Sequence, residues 1–233
     1  MKIIYVAIEL EMLAFMNVRF QFTLTFILCM LSILCFGILS MLIRGQMLTQ
    51  YDHAIIFFIQ EFESSLLTSI MNAFTFIGST PSVIAISLLS LFFLYKLLNH
   101  RVELILFIVI VGGHAILNQI LKLFFHRDRP DLHRLIEVEG YSFPSGHAMS
   151  AFAVYGALSF LLWHDIPTRW GRTILVLVSS IIILAIGISR IYLGVHYPSD
   201  IIGGFFASGI WLALSIWFYQ RYQEKHFEKK HKG

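Results

Sequence analysis

Six stretches of near-continuous apolar sequence, at 22–43, 66–98, 102–121, 147–163, 173–189 and 200–219, decide what this chain can become. A hydrocarbon core of about 30 Å is crossed by roughly 20 helical residues, and inside it each backbone polar group must be paired within its own segment. The runs therefore predict an all-α integral membrane protein, a six-transmembrane-helix bundle formed by 1–233 as a single domain. Composition agrees: 58% of residues are hydrophobic and only 13% charged, too few charges to cover a water-facing surface. A formal net charge of +3 is too small to neutralise many phosphates, so no nucleic-acid partner is expected. The overlong second run is interrupted by Gly78, Ser79, Thr80 and Pro81, which predicts an approach helix through Ile77 and a span opening at Pro81. Two amphipathic stretches, 3–13 and 52–67, the second with Ile55, Phe58, Ile59 and Phe62 at helical spacing, suit short interfacial helices. Met1 to Leu13 contains Glu9 and Glu11 and no small-residue cleavage site, so the first span is expected to stay in the mature chain. Cys29 and Cys35, about 9 Å apart along one helix, lie beyond the roughly 7 Å reach of a disulfide.

Short cytoplasmic loops carry the Lys/Arg excess of a membrane protein. With six spans, Lys2, Arg19, Lys96, Arg101, Arg169, Arg172, Arg221, Lys225, Lys229, Lys230 and Lys232 fall on the side of both termini. The other side keeps Arg44, Lys122, Arg127, Arg129, Arg134 and Arg190 together with Asp52, Glu61, Glu63, Asp128, Asp131, Glu137 and Glu139. This predicts cytoplasmic termini in the cell membrane, a basic cytoplasmic tail at 221–233, and an extracytoplasmic face holding the chemistry described next.

Ionisable residues at span ends are functional hypotheses by default, because a central Arg or Lys costs roughly 2.5 to 3.5 kcal/mol to insert. Here they gather at one face. The third run ends in Lys122 and leads to Arg129-Pro130; the fourth opens with Pro144-Ser145-Gly146-His147; the fifth ends in Ser189-Arg190, and His196 and Asp200 open the sixth. Lys122, Arg129 and Arg190 are three cations with no carboxylate partner apparent nearby, a set suited to phosphate oxygens. A helix starting at Ser145 would aim free N–H groups and its positive dipole end at the same anion, with Gly146 allowing close approach to the main chain. Asp200, one turn after His196, can accept from Nδ1 and leave Nε2 as a nucleophile for phosphorus. His147, at the opposing helix start, can protonate the leaving oxygen and later activate water.

The pattern Lys-x6-Arg-Pro, Pro-Ser-Gly-His and Ser-Arg-x5-His-x3-Asp resembles the three-part signature of the type 2 phosphatidic acid phosphatase superfamily, and all eleven specified positions are filled between Lys122 and Asp200. The resemblance implies a helical core and metal-independent, cofactor-free phosphatase chemistry, with the roles just given to His196, His147, Asp200, Lys122, Arg129, Ser145, Gly146 and Arg190. Length and layout are most similar to bacterial members acting on phosphatidylglycerophosphate or undecaprenyl pyrophosphate. A membrane lipid phosphate or pyrophosphate, phosphatidate included, is thus the implied substrate.

Several rival readings use the same residues. Zinc held by His147, His196 and Asp200 is chemically conceivable, but three cations around a metal oppose it electrostatically, whereas an anion explains them. Snorkelling to the interface could account for each base singly, and poorly for all three. A lipid phosphotransferase would employ His196 with another lipid as acceptor. A non-catalytic lipid-phosphate binding or transport protein would have no need of His196 paired with Asp200. His126 and His133 read as solvated loop residues, and His114, mid-span, as an interhelical hydrogen-bond partner.

Overall fold

The computed structural model describes the backbone of residues 2–97, 101–163 and 165–232, and side chains over 23–96, 101–163 and 165–225. The described chain is helical, without strands, and is ordered α1 (Lys2–Arg44), α2 (Thr49–Gln60), α3 (Ser65–Ile77), α4 (Thr80–Leu97), α5 (Arg101–Phe125), α6 (Gly146–Leu162), α7 (Arg169–Tyr192) and α8 (Pro198–Lys232). Starts follow local chemistry. Ser64, Ser145 and Thr168 are N-caps whose hydroxyls accept from the N–H groups of Leu67, Ala148 and Gly171. Pro198 opens α8, where its missing N–H would have been unpaired in any case.

Among the described residues, four helices are long and apolar enough to cross a membrane: Thr23–Arg44, Arg101–Phe125, Arg169–Tyr192 and Pro198–Lys225. The pair Ser65–Ile77 and Thr80–Lys96 also qualifies taken together, bent by 57° at Gly78-Ser79. The count is then four, or five with the bent pair as one span. The 17-residue helix Gly146–Leu162 is a further, shorter apolar element, so by length and composition the described helices give four or five spans against the six expected from the sequence. The break falls where the sequence predicts it, except that α4 starts at Thr80, one residue before Pro81. The 3–13 stretch continues into α1 as one helix, while its side chains lie outside the described residues, as do those of Lys2, Arg19, His100, His164 and 226–233.

The interior is built around α6, which packs against α4, α5, α7 and α8. Its Ala148, Ala151, Ala153 and Ala157 are fully or almost fully buried, and these small side chains let neighbouring helices approach closely. Leu94, Leu106, Phe107 and Ile110 complete this core with Val154. The opposite faces of α1, α4, α5 and α7 leave Leu34, Leu88, Ile116 and Ile181 exposed, the arrangement of a surface in contact with lipid.

The 52–67 stretch is not one interfacial helix. A turn at Glu61–Ser64 separates α2 from α3, and α2 turns Asp52 and Ile56, four residues apart, into the protein. Ile56 packs with Ile191 and Ile201 at the meeting point of α7 and α8. The loop between α5 and α6 is tied down on the same side. Gln60 donates to the carbonyls of His133 and Tyr192, Leu135 N–H donates to Leu193, and Ser142 N–H donates to Arg127.

Candidate active site

Four helix ends converge beneath that loop. Lys122 stands on the last turn of α5, Gly146 and His147 on the first turn of α6, Arg190 near the end of α7, and Asp200 third in α8. Arg129 and His196 come from the adjoining loops. Lys122, Arg129, Gly146, His147, Arg190 and His196 line one cavity of about 720 Å³. Ser145 and Asp200 are fully buried behind it. Ser145 caps α6, and its N–H donates to the Asp200 carbonyl at 3.1 Å, which fixes the start of α6 against the start of α8.

Around His196 the geometry is directional. Nδ1 lies 3.4 Å from Asp200 Oδ2, and Nε2 lies 3.2 Å from Arg129 Nη1. With the carboxylate taking the Nδ1 proton, Nε2 carries the lone pair toward the cationic side of the cavity. The ring is 2% exposed. Burial holds its pKa down to about 4, helped by the nearby Arg129 and Arg190, while Asp200 works in the opposite direction. The imidazole is therefore neutral at physiological pH.

The cations are held without neutralisation. Arg129 donates to the carbonyls of Val195 (2.8 Å), Gly140 (2.9 Å), Glu139 (3.2 Å) and Tyr141 (3.3 Å), none of them a carboxylate. Arg190 donates from Nη1 to Thr75 Oγ1 at 2.9 Å, and its buried Nε has no partner among the described residues. Among the same residues no group of three or more His, Cys, Asp or Glu side chains forms a metal-ligand set. Three cations, Lys122, Arg129 and Arg190, against one acid, Glu139, leave the cavity lining net positive, suited to a multiply charged anion. Gly78, at the α3–α4 bend, makes room for the site: a Cβ there would lie 2.6 Å from Ile186 Cγ2 and 3.1 Å from His147 Cδ2.

Away from the charges the cavity runs between α4 and α5 past Val83, Ile84, Leu88 and Ile116. Leu88 and Ile116 are themselves exposed on the outer face, so the cavity opens sideways toward the lipid-facing surface. His114, also on the lining, bonds Ser150 of α6 at 3.0 Å, the interhelical contact expected of it. His133 pairs with Glu63 at an exposed position, and His126 packs edge-on against Tyr141.

Sequence reasoning missed a second layer. Arg127 binds Asp200 Oδ1 at 2.6 Å and Asp52 Oδ2 at 2.8 Å. Ser142 donates to Asp200 Oδ2, and Thr75 holds Arg190. Arg127 occupies an unspecified position of the Lys-x6-Arg-Pro segment, where the sequence shows it only as one more loop base. Asp52 had one available signal, its i, i+4 spacing to an apolar residue on the inward face of α2.

The family model described as the PAP2 superfamily matches residues 103–224. Phosphatidylglycerophosphatase B of Bacillus subtilis strain 168 is 32% identical over 143 residues, which span 60% of this chain and 68% of the relative. An Escherichia coli K12 protein provisionally named an undecaprenyl-diphosphatase is 35% identical over 116 residues, 42% of this chain and 52% of the relative. The crystal structure of a transmembrane PAP2 type phosphatidylglycerolphosphate phosphatase from Bacillus subtilis superposes with a TM-score of 0.71 at 29% identity, covering 84% of this chain and 96% of that one.

Proposed function

From the premise that the chain belongs to the PAP2 superfamily, as a multi-pass membrane phosphatase, we propose that it hydrolyses a lipid phosphomonoester or pyrophosphate through a phosphohistidine on His196. The observation that carries this reading is the directed imidazole. Asp200 takes Nδ1, and Nε2 faces Arg129 inside a cavity that Lys122 and Arg190 also line.

Lys122, Arg129 and Arg190 hold the non-bridging oxygens, joined by the N–H groups at the start of α6, where Ser145 fixes the helix end and Gly146 leaves the main chain accessible. The Nε2 lone pair attacks phosphorus in line. As the N–P bond forms, the bond from phosphorus to the lipid-side oxygen breaks, and His147 gives that oxygen its proton. Asp200 stabilises the ring, which becomes positive once phosphorylated. In the second half His147 takes a proton from water, the resulting hydroxide attacks phosphorus, and the P–N bond breaks to release phosphate and the neutral imidazole.

The apolar branch between α4 and α5 suits an acyl or prenyl chain entering from the bilayer. The relatives named for phosphatidylglycerophosphate and undecaprenyl diphosphate favour headgroups of those two kinds, which differ mainly in the leaving group. The excess of Lys and Arg on the side of the termini supports cytoplasmic ends and an extracytoplasmic site.

The test is phosphate release by purified protein from a panel of phosphatidylglycerophosphate, phosphatidate and undecaprenyl pyrophosphate. The wild-type chain is expected to turn over at least one of them, with inhibition by vanadate and no loss in EDTA. His196→Ala is expected to abolish release, and release that persists in that variant removes the nucleophile assignment.

A further inference from the structure

The active-site reading uses three cations, and a fourth, Arg127, lies behind the nucleophile. It is not on the cavity wall, so it is not placed to touch substrate. Its guanidinium joins two carboxylates from distant parts of the chain, Asp52 on α2 and Asp200 on α8, at 2.8 and 2.6 Å. The two carboxylates are 3% and 0% exposed. Nη1 also donates to Ser199 Oγ at 2.8 Å, and the guanidinium lies 4.1 Å from the centre of the Tyr197 ring. Asp52 completes the frame by accepting from Ser199 N–H at 3.0 Å and from Ser199 Oγ at 2.5 Å.

Asp200 thereby receives donors on both oxygens. Oδ1 is taken by Arg127, while Oδ2 accepts from Ser142 Oγ and Tyr197 N–H and faces His196 Nδ1. A carboxylate so surrounded has no rotational freedom, and the imidazole that leans on it inherits its orientation. Charge is set by the same group. Arg127 alone would cancel Asp200 and leave nothing to stabilise a positive ring. With Asp52 in place the three side chains sum to one negative charge, which complements His196 once it is phosphorylated.

We propose that Arg127 and Asp52 are positioning residues for the reaction: together they lock the Asp200 carboxylate that orients His196 and keep a net negative charge behind the ring. This rests on the phosphohistidine reading and adds to it two residues that are not among the eleven specified signature positions, one of them on a helix that contributes nothing to the cavity wall.

The experiment uses the full-length protein, folded in detergent micelles, with the lipid phosphate it turns over fastest and with inorganic vanadate as a probe of the cationic pocket. R127Q is expected to lower kcat by about 10- to 100-fold, the range typical of outer-layer partners, with KM and vanadate inhibition changed less than about threefold. R127K keeps the charge and loses the fork, so it should recover part of the rate. D52N should also lower kcat. In the double variant D52N/R127Q one negative charge again stands behind His196, so its kcat should exceed the product of the two single effects.

A wild-type kcat in folded R127Q, alongside an inactive H196A, would overturn this inference and leave the phosphohistidine reading standing. Release that persists in H196A would instead remove that reading. A raised KM or lost vanadate inhibition with kcat intact would make Arg127 a substrate contact and overturn the positioning role. Should R127Q fail to fold, R127K and D52N decide, and a wild-type kcat in both would sink the proposal.

Discussion

At the scale of single residues, the candidate site keeps a histidine neutral among cations. With its pKa pushed down from 6.5 to about 4 by burial and by Arg129 and Arg190, His196 keeps its lone pair well below neutral pH. In the proposed mechanism protonation removes the nucleophile, so the acid limb of kcat/KM is expected near pH 4, with about a tenfold fall per unit below it. An acid limb near the ordinary imidazole value in a pH–rate profile would contradict this. Stability follows the same sign. The unfolded chain binds this proton first, so the contribution of His196 is intact above about pH 6.5 and is lost as pH falls through about 4. Thr75 makes a second residue-scale prediction. Its hydroxyl receives Arg190 Nη1 and lies 3.0 Å from Ser189 Oγ. Thr75→Val should leave a buried guanidinium donor unpaired and loosely aimed, weakening vanadate inhibition about 5- to 10-fold, the value of roughly 1 to 1.5 kcal/mol. An unchanged inhibition constant would mean that Arg190 is oriented by packing alone.

The bend between α3 and α4 matters at the scale of elements. Thr75 on α3 reaches Arg190, the lining residues Val83, Ile84 and Leu88 belong to α4, and Gly78 at the junction touches the face of α6 that carries His147. Gly78→Val would drive a branched side chain into Ile186 and His147, at an overpacking cost of about 1 to 3 kcal/mol. The expected result is a kcat at least tenfold lower in protein that still folds, checked by turnover per unit of folded enzyme. This bend was readable beforehand, since Gly-Ser-Thr-Pro can hardly lie within a continuous span. The helices themselves were readable because lipid imposes length and hydrophobicity on each one independently. The inward turn of α2 was not, because an amphipathic stretch with aromatic residues on one face suits a bilayer surface and a protein surface equally well. Only the packing of Ile56 with Ile201 and the burial of Asp52 decide between them. The same holds for Arg127, whose partner Asp52 is 75 positions away in the chain.

The whole molecule places a charged cavity at one end of a helical bundle and gives it a side exit rather than a mouth toward water alone. The charged wall comes from the ends of α5, α6 and α7 and the loops after α5 and α7, whereas the apolar wall comes from the bodies of α4 and α5. In the proposed function a lipid phosphate reacts without leaving the bilayer: its headgroup moves among Lys122, Arg129 and Arg190 while its chain stays between the two helices. Leu88 and Ile116, both lining and both exposed, mark the opening. Replacing either with Trp adds bulk at the exit without touching a charged residue. Turnover of a long-chain lipid phosphate should fall about tenfold or more in kcat/KM, equivalent to roughly 1.4 kcal/mol or more at the transition state. A water-soluble short-chain phosphate, which has no chain to thread, should be hydrolysed at the wild-type rate. Equal losses on both substrates would place the damage in the catalytic end, and no loss on either would mean that lipid reaches the site by a route other than the α4–α5 cleft.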